Sequence, residues 1–167
     1  QAGIPFEEQL VRFDSFASGS QFKEVVEAVN PQGKVPVLVD GDLAVWDSLA
    51  ICEYAAERFP QHHLWPKDAK ARARARSVCA EMHAGFPALR NHCPMNIEAS
   101  LPHVGALVWR DQPAVRADIQ RIVTMWAGLL ERHGGPVLVG PGRGWSGPGL
   151  TGRLYRFIPF PHWQSPT

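Results

Sequence analysis

No Asp or Glu follows Glu131 in this 167-residue chain. No apolar run approaches the roughly 20 residues a bilayer demands, so a membrane-spanning helix is not expected. The first residues, Gln1-Ala2-Gly3-Ile4-Pro5, contain no initiator Met, basic n-region or apolar h-region, and no secretory leader is read there. Cysteine is scarce: Cys52, Cys79 and Cys93 cannot all pair and form no C-x-x-C, which argues against a disulfide framework. Seventeen basic and sixteen acidic side chains give a net charge of +1, leaving no bulk electrostatic drive toward nucleic acid or a membrane surface. What is present, 45% hydrophobic and 20% charged residues, suits a globular chain long enough to bury a core. A soluble, cytoplasmic protein is expected.

The missing acids mark a break. Residues 132–167 hold four Arg and fourteen Gly or Pro, a Gly/Pro share above the roughly 25–30% that signals a chain without a packed core. Gly140-Pro-Gly-Arg-Gly-Trp-Ser-Gly-Pro-Gly149 suits neither a helix nor a strand ladder. Residues 1–136 are expected to fold, and 137–167 to form a disordered, atypical tail. A reading-frame shift or mis-joined segment near Val137–Gly140 would produce such a break.

The region expected to fold has a mixed β/α character first and a helical one later. Glu8–Phe13 reads as a short strand. Phe22, Val25, Val26 and Val29 recur at helical spacing before Asn30-Pro31 and Gly33 stop them. Val35–Val39 and Leu43–Trp46 flank the turn Asp40-Gly41-Asp42 as a β-hairpin. Asp47-Ser48 caps a helix with Ile51, Ala55 and Phe59 on one face. The proline-bounded stretch from Pro60 to Pro66 is a linker. Beyond it, Asp68 to Leu89 reads as a helix with Ala71, Ala75, Val78, Met82, Phe86 and Leu89 inward, bent near Pro87. Asp111 is read as the cap and Pro113 as the start of another, with Val115, Ile119, Ile122, Trp126 and Leu129 inward and Gly134-Gly135 as its stop. Asn91–Arg110 stays ambiguous.

The chemistry concentrates in Asn30–Phe59. Pro36 at the front of a strand lacks an N–H, and an X-Pro bond adopts cis at small cost. A cis bond would aim the Val35 N–H and C=O away from the sheet, where an extended peptide could pair with them. At Asp47-Ser48 the backbone N–H groups and dipole of a helix start favour a carboxylate. The Ser48 hydroxyl adds a donor, and Asp47 can accept from an ammonium group. A γ-glutamyl group carries both.

Gly33-Lys34-Val35-Pro36-Val37-Leu38 followed by Trp46-Asp47-Ser48-Leu49-Ala50-Ile51 resembles the glutathione-binding half of the glutathione S-transferase family. Leu64-Trp65-Pro66, the Ala/Arg-rich helix and Glu81-Met82-His83-Ala84-Gly85-Phe86-Pro87 resemble its bacterial members. The resemblance implies an α/β plus all-α fold: a partial thioredoxin-like domain over 1–60, a linker over 61–66, and a truncated glutathione-transferase-type helical domain over 67–136. It implies that Val35 holds the cysteinyl backbone of glutathione beside a cis Pro36, that Asp47 and Ser48 hold its γ-glutamyl end, and that Lys34 adds a contact. Met82, His83 and Phe86 would line an electrophile pocket between the domains. The reaction implied is conjugation of the glutathione thiol to a small electrophile by a homodimer, with glutathione as co-substrate and no metal. In the family a Tyr, Ser or Cys after the first strand activates the thiol. This chain starts beyond that strand and most of the first helix, so no catalytic residue is assigned and its own catalysis is expected to be weak or nil.

Rival readings are a non-catalytic glutathione-binding or regulatory module, and a thioredoxin-class oxidoreductase whose C-x-x-C is absent here. Cys79 and His83 are four apart on one helix face, short of the three or four ligands a metal site needs. Cys52 reads as a small buried apolar residue rather than a reactive thiol. Lys67, Lys70, Arg72, Arg74 and Arg76 do not share one helix face, and a solvated helix is the simpler reading. Four scattered arginines in the tail, without an RNA-binding motif, are weak grounds for RNA binding.

Overall fold

The computed structural model describes residues 2–15, 17–94 and 100–133. The expectations for Gly134-Gly135, for the tail and for Val137–Gly140 lie outside the described residues. The chain divides into two compact units between Leu64 and Trp65.

The first unit is a small α/β arrangement. Helix α1 spans Gln21–Glu27 and is capped by Ser20, whose hydroxyl accepts from the Lys23 N–H at 3.3 Å. Asp14 reinforces the start, accepting from the N–H groups of Gln21 and Phe22 at 3.1 Å each. Phe22 and Val26 are buried, and the Phe13 ring meets the Phe22 ring edge-on at 5.2 Å. Strands β1 (Val37–Asp40) and β2 (Leu43–Trp46) pair antiparallel, with Val37 opposite Trp46 and Asp40 opposite Leu43. Helix α2 (Ser48–Arg58) follows after one residue. It is tied to the hairpin turn by the Tyr54 phenol, which donates to Asp40 Oδ2 at 2.7 Å.

One expectation fails here. Glu8–Phe13 is not a strand. A strand needs a neighbour to take its N–H and C=O groups, and among the described residues only β1 and β2 pair. Leu10, placed in a strand by its composition, is 86% exposed.

The second unit is helical: α3 (Ala69–Ala84), α4 (Pro87–His92), α5 (Pro102–Asp111) and α6 (Pro113–His133). Its buried side chains include Ala75, Phe86, Leu89, Val115, Ile122 and Leu129, six positions whose spacing marks them as inward. The expected single bent helix over Asp68–Leu89 is instead two helices. Gly85 ends α3 with its N–H on the Glu81 carbonyl at 2.8 Å, and a Cβ there would lie 2.5 Å from that carbonyl oxygen. Phe86 then takes a left-handed φ of 63° before Pro87 opens α4. An extended Gly85, a left-handed Phe86 and a missing proline N–H break the ladder outright, where proline alone would have kinked it.

Helix α4 has no cap of its own. Asp118 of α6 supplies one, its Oδ2 accepting from the Leu89 N–H at 2.9 Å. Asp111 does not cap α6 as expected. It is the last residue of α5, and its carboxylate is held by Arg110 at 2.6 and 2.7 Å. The ambiguous stretch contains α5, and Arg116 reaches back to the Arg110 carbonyl at 2.9 Å. The linker is more ordered than its composition suggests. Pro60–His62 form a 3-10 turn, while Trp65 is buried with the Arg76 guanidinium 5.5 Å from its ring centre. Among the described residues no helix is long and apolar enough to cross a membrane.

Candidate functional site

Pro36 directly precedes β1 and Asp47 directly follows β2. Because Val37 faces Trp46 across the ladder, antiparallel pairing brings Lys34–Pro36 and Asp47–Ser48 to the same end of the hairpin, opposite its turn. The Val35–Pro36 peptide bond is cis. Val35 is 57% exposed, and neither its N–H nor its C=O is bonded within the described residues. Lys34 is exposed at the same place.

Asp47 makes the turn from strand to helix at φ 75° and ψ 131°, a region that costs a non-Gly residue on the order of 1–3 kcal/mol. Its side chain compensates by capping α2: Oδ1 accepts from the Leu49 N–H at 2.8 Å and the Ala50 N–H at 3.4 Å. Its backbone carbonyl accepts from Ile51 at 2.9 Å. Ser48 is exposed, and its N–H and hydroxyl have no partner among the described residues. At the positive end of α2 these two donors are what the fold leaves for an anion. The site therefore offers a peptide edge at Val35 and an anion corner at Ser48, with the Asp47 carboxylate between them.

Cys52, one turn into α2, is half-buried. Burial pushes its thiol up, and the nearby carboxylates of Glu53 and Asp47 add to the effect. It stays a protonated thiol at neutral pH, and a thiol is a poor nucleophile. Among the described residues no cluster of His, Cys, Asp and Glu has the makings of a metal site.

The second unit distributes the other candidates differently. Phe86 is buried in the helical core, Met82 is half-buried and His83 is exposed near the end of α3. The Met82 carbonyl accepts from the Arg90 guanidinium. A groove of about 300 Å³ runs between α3 and α6, floored by Val78, Met125 and Leu129 and edged by Arg74, Arg121 and Arg132. None of Met82, His83 and Phe86 lines it. Arg121 is already engaged, donating to both carboxylate oxygens of Glu81 at 2.6 and 2.8 Å.

Sequence reasoning misses Asn30. Asn30-Pro31 reads as a helix stop, whereas Asn30 is 1% exposed and its side chain both donates and accepts a hydrogen bond. Asn three residues before a Gly, after an apolar helix, is the available signal.

Residues 1–58 match the family described as the N-terminal domain of glutathione S-transferase. Over 139 residues the chain is 32% identical to glutathione S-transferase 1 of Dianthus caryophyllus, covering 83% of this chain and 59% of that protein. It is 30% identical over 124 residues to a zeta-class glutathione S-transferase of Euphorbia esula, covering 73% of this chain and 52% of the relative. The solved glutathione S-transferase of the Antarctic clam Laternula elliptica superposes with a TM-score of 0.56 at 24% identity, over 80% of this chain and 58% of that one, a likeness of fold. The chain thus spans between half and three-fifths of the length of these relatives. A small hairpin unit followed by a helical unit, with this sequence kinship across both, makes the chain a member of the glutathione S-transferase family.

Proposed function

We propose that the first unit binds glutathione at the open end of the β1–β2 hairpin. In this reading the exposed Val35 peptide pairs with the cysteinyl backbone beside Pro36. Ser48 donates its N–H and hydroxyl to the γ-glutamyl carboxylate, and Asp47 receives the γ-glutamyl ammonium. Lys34 adds a cation beside the ligand. The observation that carries the reading is the strand register, which sets an unengaged peptide edge and an unengaged pair of donors at one end of the same two strands. A tripeptide with an amine and a carboxylate at one end and an extended backbone beyond uses every one of these groups. The whole protein would conjugate the glutathione thiol to a small electrophile as a homodimer, with Met82, His83 and Phe86 near the electrophile. The relatives' names support this chemistry.

The test is retention of the chain on immobilised glutathione. The reading predicts retention that free glutathione releases and that glycine and glutamine at the same concentration do not. Passage through the column, or release by either amino acid, contradicts it.

A further inference from the structure

Asn30 is the only polar residue buried among the described residues, and its backbone N–H, backbone carbonyl, Oδ1 and Nδ2 each make a hydrogen bond. Its N–H donates to the Val26 carbonyl and its own carbonyl accepts from the Gly33 N–H, both at 2.8 Å. Its side-chain Oδ1 accepts from the Gln32 N–H at 3.0 Å, and its Nδ2 donates to the Lys34 carbonyl at 2.7 Å. One amide thus joins the end of α1 to the residue before Val35. The loop is clamped from outside as well. Lys23 donates to the Gly33 carbonyl at 3.3 Å, and Gly33 sits buried at φ +59°, a backbone conformation that favours glycine.

The consequence follows from peptide geometry. The Lys34 C=O and the Val35 N–H belong to one planar trans unit and point in opposite directions. Drawing the carbonyl inward to a buried amide turns the Val35 N–H outward, to the exposed edge. A bond that drains the carbonyl also polarises the N–H across the plane. We infer that Asn30 is a positioning residue for glutathione, fixing the direction of the Val35 N–H that meets the cysteinyl backbone while touching no ligand itself. This rests on the glutathione reading above and adds to it a buried residue outside the contact set.

The test is a set of amide-shift titrations of the full chain with two probes, glutathione and L-glutamate. Glutamate carries the same amine and α-carboxylate and has no cysteinyl peptide. Asn30→Asp keeps the acceptor for Gln32 and removes the donor to Lys34. It is expected to weaken glutathione about tenfold, a loss of about 1.4 kcal/mol, and to leave glutamate within twofold. Ser48→Ala is expected to weaken both. In the unmutated chain, saturating glutathione should shift the Asn30 side-chain amide and the Val35 backbone amide, and glutamate should shift neither. That second measurement stands even if Asn30→Asp does not fold. Undiminished glutathione binding by Asn30→Asp, equal losses for both probes, or an unmoved Asn30 amide overturns the inference while leaving the glutathione reading intact. No saturable response of the unmutated chain to glutathione overturns both.

Discussion

The first unit buries Phe22, Val26 and one amide, Asn30, whereas the second buries Trp65 and Phe86 beside its helices and Ala75, Leu89, Val115, Ile122, Met125 and Leu129 on them. Around the hairpin, local order comes from directed bonds. Asp14 and Ser20 hold α1, Asn30 holds the loop, Asp47 holds the strand-to-helix turn, and Tyr54 with Asp40 holds α2 to the hairpin. In the helical unit, order comes mainly from burial, at roughly 25 cal/mol per Å² of apolar surface. A polar frame fixes where N–H and C=O groups point. An apolar core fixes that helices associate, and it tolerates variation in what lies on their surface. Substitutions in the first unit should therefore act mostly on binding, and those in the second mostly on stability.

The strongest way to break that contrast is to open the helical core. Leu129 is buried on α6, and Leu129→Ala should cost about 2–5 kcal/mol through lost transfer energy and the cavity left behind. Urea unfolding followed by helix signal measures it, and a cost below about 1 kcal/mol would deny the core its role.

Ser48→Ala sharpens the other side. It should lower glutathione affinity by about 1–3 kcal/mol, the worth of a bond to a charged group, with the urea midpoint unchanged. Competition against immobilised glutathione reads it. A shifted midpoint with unaltered affinity would reverse the assignment.

Asp118→Ala tests the exception, a polar bond inside the helical unit. Loss of the cap on α4 should cost about 0.5–2 kcal/mol and speed hydrogen exchange at the Leu89 amide selectively. Unchanged exchange there would remove Asp118 from the cap.

The smallest effect belongs to Glu81. The hydrogen bonds from Arg121 hold its carboxyl below the ordinary 4.5, against desolvation that pushes it up. A lowered folded pKa contributes stability that is complete above the unfolded value and is lost as pH falls through the folded one. The advantage of the native chain over Glu81→Gln should be constant from neutral pH down to about 5 and close below it. It should be slight throughout, because both partners are substantially exposed. An advantage that grows in acid would contradict the pairing.

Particular residues show what was legible beforehand. The hairpin was readable from alternating β-formers around Asp-Gly-Asp, and α6 from Val115, Ile122 and Leu129 at helical spacing, because both patterns are local. The Glu8–Phe13 expectation failed because strand composition is local and strand formation is not. Asp111 looked like a cap, yet Arg110 beside it claims the carboxylate. The break at Gly85-Phe86 goes beyond the expected bend because a left-handed φ at a phenylalanine has no composition signal. Asp118 and Arg121 find their partners 29 and 40 residues away, which periodicity cannot see. For the proposed site, the motif pair is what points to Lys34, Val35, Pro36, Asp47 and Ser48. It did not show that Asp47 spends Oδ1 on its own helix, leaving the free donors on Ser48.

The most direct measurement is an amide-by-amide map of where glutathione touches the 15N-labelled chain. The account predicts saturable shifts clustered at Val35 and Asp47–Ala50, with α3 and α6 silent. Shifts centred on the groove edged by Arg74 and Arg132, or none that saturate, would contradict it.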